Sequence, residues 1–199
     1  MISHSASPLA APTLAPPGAG LPAPERFIAN LMMKWQAARA SRDQAVELFA
    51  AQRAAALEVI RDVPSDRLHT PVLIRRLRGL EDSSRYWSVL MTLDHLRIVN
   101  EAISLVIPVL AAGQVPVGVA STAAVKPAAD QDRSVIAAYE KANDALVSAV
   151  AAVADLQTTT RYAHPWFGPL NAAQWHFMAG FHLRLHVNQL RLIVAGLRA

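Results

Sequence analysis

Proline and glycine punctuate this chain so that four long stretches are left nearly free of both, and that spacing commits it to helices. Proline removes a backbone donor and glycine costs conformational order, so a stretch lacking them propagates a helix where its apolar residues recur at the right period. Six of the thirteen prolines fall within MISHSASPLAAPTLAPPGAGLPAP. Residues 1–24 are therefore expected to be a disordered, flexible Pro/Ala-rich N-terminal tail, and residues 25–199 a single domain.

From Glu25 to about Val63 there is no Pro or Gly, and Phe27, Leu31, Trp35, Ala38, Ala45, Leu48, Phe49, Leu57 and Ile60 keep helical spacing. This predicts one long first helix stopped by Pro64. A second is predicted from about Ser83 to Ala112, kinked or shortened at Pro108. A third runs from about Gln131 to Leu156, with Val135, Tyr139, Ala142, Leu146 and Val153 on its inner stripe. The fourth reaches from Asn171 to about Leu197. It opens on a capping box in which Asn171 accepts from the Gln174 N–H while the Gln174 side chain reaches back. The intervening segments read as connections with no strand signal, and the one before the second helix holds a short turn of helix near Val72 to Leu77, ended by Gly79. The expected fold is all-α, a four-helix bundle.

Composition supports this and removes several alternatives. Hydrophobic residues make up 53% of the chain but aromatics only 6%, a mix that suits helix packing better than a β-sandwich. The most apolar run, Ile98 to Ala112, contains Asn100, Glu101, Ser104 and Pro108, so no membrane association is expected. Without cysteine there are no disulfides, thiolate ligands or cysteine nucleophile. The N-terminus lacks the basic start and continuous apolar core of a secretory signal, and a cytoplasmic protein is expected. The formal charge of +4 comes from 16 Arg and 3 Lys against 15 acidic residues. The basic residues are scattered. Their densest cluster, Arg75, Arg76 and Arg78, reads as a solvated face, and no nucleic-acid partner is expected.

The chemistry lies in three histidines. His182 and His186 are four residues apart on the predicted last helix and so point to one side. About one chain in four of this composition would carry such a pair by chance, so context must decide. The face around the pair includes Trp175, Met178, Ala179, Leu185 and Ile193, and His95 on the second helix sits among Met91, Ile98, Val99 and Ala102. All three imidazoles should therefore face the bundle interior. A buried imidazole needs partners for both ring nitrogens, and three in one place would repel one another if protonated. A divalent metal resolves this by taking one lone pair from each. Alternatively, each ring is satisfied separately by water or a core hydroxyl such as Thr92. A nitrogen-only set suits a transition metal, Zn or Ni first and also Fe, rather than Mg or Ca.

Ser88, Thr92 and Gln189 are candidates to orient ligands or substrate, and Trp175 to form an apolar wall. Asp94 follows a direction about 100° from His95, so no general acid or base is assigned. His176 is turned about 120° from His182 and reads as a surface or side-pocket residue. His164, held extended before Pro165, reads as a loop anchor that can reach the rim of the site.

The segments RYWSVLMTLDHL, with His95, and HPWFGPLNAAQWHFMAGFHLRLHVNQL, an aromatic–Gly entry followed by a Trp and an HxxxH, resemble the DinB/YfiT superfamily of metal-binding four-helix bundles. The resemblance spans about 26–197 but is specific only in these two segments. It implies that His95, His182 and His186 bind a divalent metal. Members of the superfamily include transferases and isomerases that use low-molecular-weight thiols such as bacillithiol, mycothiol or glutathione, and others are only predicted hydrolases. The expectation is a metal-dependent transferase or hydrolase that activates a thiol cosubstrate or water against a small-molecule substrate. The alternative is a non-catalytic bundle with a structural metal or a partner-binding role, which a fourth protein ligand such as His164 would favour. A homodimer is expected from the high apolar fraction.

Overall fold

Ser41 divides the first predicted helix in two. The computed structural model describes residues 12–198, and within them α1 (Ala23–Arg39) and α2 (Arg42–Ile60) replace the single helix expected from Glu25 to Val63. The reason is local. The Ser41 hydroxyl accepts from the Gln44 N–H at 3.1 Å and the Gln44 side chain accepts from the Ser41 N–H at 2.9 Å. This capping box gives the chain a better alternative to helix at that point.

Three further helices follow: α3 (Val89–Ala111), α4 (Ser134–Ala151) and α5 (Ala172–Arg198). Helices α2 to α5 form the bundle. Helix α5 packs against both α2 and α3, α4 packs against α3, and α1 lies along the outside of α5. The α2 and α4 edges are tied by the Arg53–Asp144 ion pair.

Other boundaries also moved for identifiable reasons. Helix α3 starts at Val89 rather than Ser83 because the Ser88 hydroxyl caps the Met91 N–H. It runs through Pro108 to Ala111 without ending early. Helix α4 stops at Ala151 rather than Leu156. There the Arg42 guanidinium donates to the carbonyl of Val150 in the last turn and to those of Val153 and Ala154 just beyond it, holding the chain as it leaves the helix. The N-terminal box of α5 forms as expected, with Asn171 Oδ1 accepting from the Gln174 N–H at 2.9 Å.

Two small ribbons escaped sequence reading. Strand β1 (Val72–Leu73) stands where a helical turn was expected, because its backbone finds partners in β2 (Tyr86–Trp87), with which it pairs antiparallel; β3 (Tyr162–His164) pairs in the same way with β4 (Gly168–Leu170). Both are too short for an alternating pattern to register. In the second, Gly168 takes φ +66°, which lets the turn close and sets His164 opposite it.

Of the expected tail, residues 1–11 lie outside the described residues. Residues 12–22 hold no helix or strand but are tied down. The N–H of Ala15 donates to Asp82, and those of Gly18 and Gly20 to Glu81.

The core is aliphatic, with Leu93, Leu96, Ile107, Leu110, Leu146, Leu183 and Leu190 fully enclosed. Helices α2 and α5 approach so closely at Gly180 that a Cβ there would lie 2.9 Å from Leu48 Cγ. In contrast, α1 buries only Met33 and leaves Phe27, Leu31 and Trp35, one face at helical spacing, more than half exposed. No helix among the described residues is long and apolar enough to cross a membrane.

Candidate metal centre

The three histidines singled out in the sequence meet. The Nε2 atoms of His95 and His182 are 3.1 Å apart, and those of His186 and His182 3.0 Å. His182 and His186 come from successive turns of α5 and His95 from the facing turn of α3. Together they are a group whose ligand atoms all lie close enough to hold one metal ion.

Partners on the far side of each ring decide which nitrogens are bare. His95 Nδ1 lies 2.7 Å from the Val125 carbonyl oxygen, which only accepts, so Nδ1 carries the proton and Nε2 a lone pair. The same logic runs through three groups for His186. The Ser84 carbonyl oxygen accepts from Gln189 Nε2 at 2.7 Å, which turns Gln189 Oε1 toward His186 Nδ1 at 2.6 Å. His186 Nδ1–H therefore donates, and its Nε2 is bare. His182 Nδ1 is buried and has no partner among the described residues. At most one N–H, on His182 Nε2, is available for two lone pairs at 3.0 and 3.1 Å, so a neutral cluster leaves at least one inward-facing lone pair unsatisfied. An orphaned buried polar group costs about 1–3 kcal/mol.

A divalent ion fits this donor set. Nitrogens at about 2.0–2.1 Å from one ion in tetrahedral geometry stand about 3.3 Å apart, close to the observed spacings. Carbonyl and amide partners on the outer nitrogens are the arrangement that fixes the tautomer of a ligating imidazole. Protonation competes poorly here. Burial pushes His95 down to about 4, outweighing the opposing pull of the Val125 carbonyl. His182 and His186 are held well below the ordinary imidazole range by burial and then by their neighbouring rings.

The surroundings include residues the sequence did not flag. The Trp87 ring stacks on His186 with centroids 6.2 Å apart and leans on His95 at 5.2 Å. Lys126 Nζ lies 5.3 Å from the Trp87 ring centre, pairs with buried Glu81 at 2.6 Å and donates to Ser84 Oγ at 2.8 Å. Burial opposes ionisation of Glu81, but the hydrogen bond and charge of Lys126 prevail and hold its carboxyl below the usual range. The loop between α3 and α4 thus contributes twice, through Val125 and Lys126. A backbone carbonyl leaves no trace in side-chain pattern, which is why the Val125 contact was not legible.

Of the other candidates, Gln189 orients His186 as described. Ser88 and Thr92 do not touch the histidines. Ser88 caps α3, and the Thr92 hydroxyl donates to the Ser88 carbonyl at 2.9 Å. Asp94 is turned away and bonded to Arg97 and Gln131. His176 is buried in a side pocket beside Arg42, and burial together with that charge lowers it to about 4. His164 anchors its loop, with Nδ1 accepting from the Trp166 and Phe167 N–H groups at 3.1 and 3.4 Å. It is not among the clustered ligands.

A cavity of about 930 Å³ opens beside the cluster, and His95, His182, His186, His164 and Trp175 all contribute to its wall. The expected wall role of Trp175 therefore holds, and its indole N–H donates to the Tyr162 carbonyl at 3.3 Å.

Fold and site together define a helical bundle with a three-histidine cluster able to hold a metal ion. Among solved structures the chain is similar to the crystal structure of TT2238, a four-helix bundle protein, at 24% identity and a TM-score of 0.56, over 76% of this chain and 98% of that one. This likeness shows the fold. The chain matches no protein-family model and no curated protein.

Proposed function

We propose that this chain is a DinB-like metal protein in which His95, His182 and His186 hold one divalent transition metal, Zn or Ni first and Fe next, for transferase or hydrolase chemistry on a small molecule. The observation that carries the reading is the trio of inward Nε2 atoms, two of them bare because Val125 and Gln189 engage the opposite nitrogens. A zinc-type ion held at such a site would lower the pKa of bound water toward about 7 or keep a thiol as thiolate.

The chain's own residues supply the rest. Trp87 shields two of the rings, Gln189 and Val125 hold their orientation, and the loop carrying Lys126 covers the α3 side. The cavity favours chemistry over a purely structural metal. A closed structural site needs a fourth protein ligand, and His164 has its Nδ1 engaged by backbone N–H groups instead.

The test has two stages. Protein loaded with Zn or Ni and dialysed is expected to retain about one ion per chain by elemental analysis. The loaded protein is then assayed with a panel of low-molecular-weight thiols and 1-chloro-2,4-dinitrobenzene, and with p-nitrophenyl esters in water. Metal-dependent turnover in either assay supports the reading. Failure to retain any metal overturns it.

We extend the proposal to self-association through the exposed α1 face of Phe27, Leu31 and Trp35, two copies of which bury matching apolar stripes. Leu31→Glu is expected to move the sedimenting species toward monomer. An unchanged distribution removes this part.

A further inference from the structure

The cavity beside the histidines has a character that the cluster alone does not dictate. Its volume of about 930 Å³ is near the upper end of the range for drug-sized ligands, about 300–1,000 Å³. Its wall is mainly aliphatic and aromatic, drawn from α1, α3, α5 and the β3–β4 turn, with Ile103, Val106, Phe167 and Met178 among the contributors. The two carboxylates on that wall are engaged within the protein. Glu25 accepts from Arg76 and from the Gly79 N–H, and Glu81 from Lys126 and the Gly20 N–H. A cationic ligand would therefore find no free counter-charge there among the described residues.

Besides the arginines Arg76, Arg78 and Arg184, which add positive charge to the wall, one further wall group offers a clamped donor. His164 Nδ1 accepts from two backbone N–H groups, so the proton of the neutral ring sits on Nε2. That nitrogen has no hydrogen-bond partner among the described residues, and unlike His182 Nδ1 it is not among the sealed, unsatisfied atoms. The ring is clamped, stacked on Phe167 with centroids 4.6 Å apart and tilted against Trp175 at 5.4 Å. A donor held this rigidly on an apolar wall is preorganised for one acceptor.

We propose that this cavity takes a mainly apolar small molecule with a single anionic or carbonyl oxygen head, that the apolar walls bury its body, and that His164 Nε2–H donates to the head. This names the ligand class for the site proposed above. It rests on that reading only for placing the head at the histidine end. His164 is a binding residue in this account, beyond its anchoring of the turn.

The test uses straight-chain carboxylates from butanoate to octanoate, with octylamine and butylbenzene as controls. Binding is measured by calorimetry and by fluorescence, since Trp166 and Trp175 line the cavity. Affinity is expected to rise about fourfold per methylene, the step that about 0.8 kcal/mol per buried CH₂ implies. Octylamine should bind at least tenfold more weakly than octanoate. His164→Asn retains an oxygen that can accept from the turn's N–H groups but loses the ring donor. It should weaken octanoate about tenfold and butylbenzene far less.

A flat chain-length series or equal binding of octylamine and octanoate overturns the proposal using the unaltered protein. Unchanged octanoate affinity in a His164→Asn protein that still binds butylbenzene overturns the donor role. All measurements are made on zinc-loaded and chelator-treated protein. A rising series in a chain that retains no zinc supports this inference while sinking the metal reading. A flat series in a chain that retains zinc does the reverse.

Discussion

Helix α5 carries two kinds of imidazole six residues apart, one buried and one half-buried, and the contrast shows what makes a ligand. His176 lies in the side pocket by the α1–α2 junction, alone beside Arg42. His182 lies across the helix against His95 and His186. Burial drives all of these rings below the ordinary imidazole range, so a depressed pKa does not distinguish them. Convergence does. Around His182 the inner nitrogens meet, and carbonyl oxygens hold the outer nitrogens of both neighbouring rings. Around His176 no second imidazole is present among the pocket residues.

The sharpest way to break this contrast is to remove one ring from each side. His182→Ala is expected to abolish retention of zinc by dialysed protein, whereas His176→Ala should retain about one ion per chain in elemental analysis. Equal retention in both variants would erase the distinction.

Acid acts next, and on both sides together. His95, His164 and His176 are each pushed to about 4, whereas an unfolded imidazole titrates near 6.5. Between those values the unfolded chain binds more protons than the native one, so stability is complete above about pH 6.5 and declines as pH falls toward 4. Urea unfolding of metal-free protein should lose several kcal/mol over that window, an order-of-magnitude figure from about 1.36 kcal/mol per pKa unit. His176→Leu should flatten part of the slope without altering zinc binding. A pH-independent urea midpoint would contradict the burial of these rings.

Gln189→Leu separates a ligand from its support. It leaves the three histidines in place but removes the acceptor from His186 Nδ1, and zinc affinity is expected to fall about 10- to 100-fold in competition with a chelator. An unchanged affinity would mean that the amide only ties α5 to Ser84. The smallest effect belongs to Ser41→Ala, which deletes the cap beside the His176 pocket. It should cost about 1 kcal/mol in urea unfolding and leave zinc affinity unaltered. Coupled loss of zinc would show that the two ends of α5 communicate.

The helices were legible to different degrees, for physical reasons. Helix α5 could be read to within a residue at its start because Asn171 and Gln174 announce a reciprocal cap next to a long periodic run. The same signal, Ser41 with Gln44, went unread because apolar spacing continues across it. The end of α4 had no local signal at all. Arg42 holds the chain there from 108 residues away in sequence.

Local pattern was enough to show that the chain is helical, that its proline-poor stretches form the bundle, and that His182 and His186 share one side of α5. These follow from short-range geometry, in which 3.6 residues per turn and the hydrogen-bonding limits of proline leave little freedom. Long-range packing settled that His95 meets that pair, which outer nitrogens are engaged, and that a cavity stands next to them. Those outcomes depend on partners far along the chain, Val125 at 30 residues from His95 and Ser84 at 105 from Gln189, and no local pattern encodes where a distant carbonyl will come to rest.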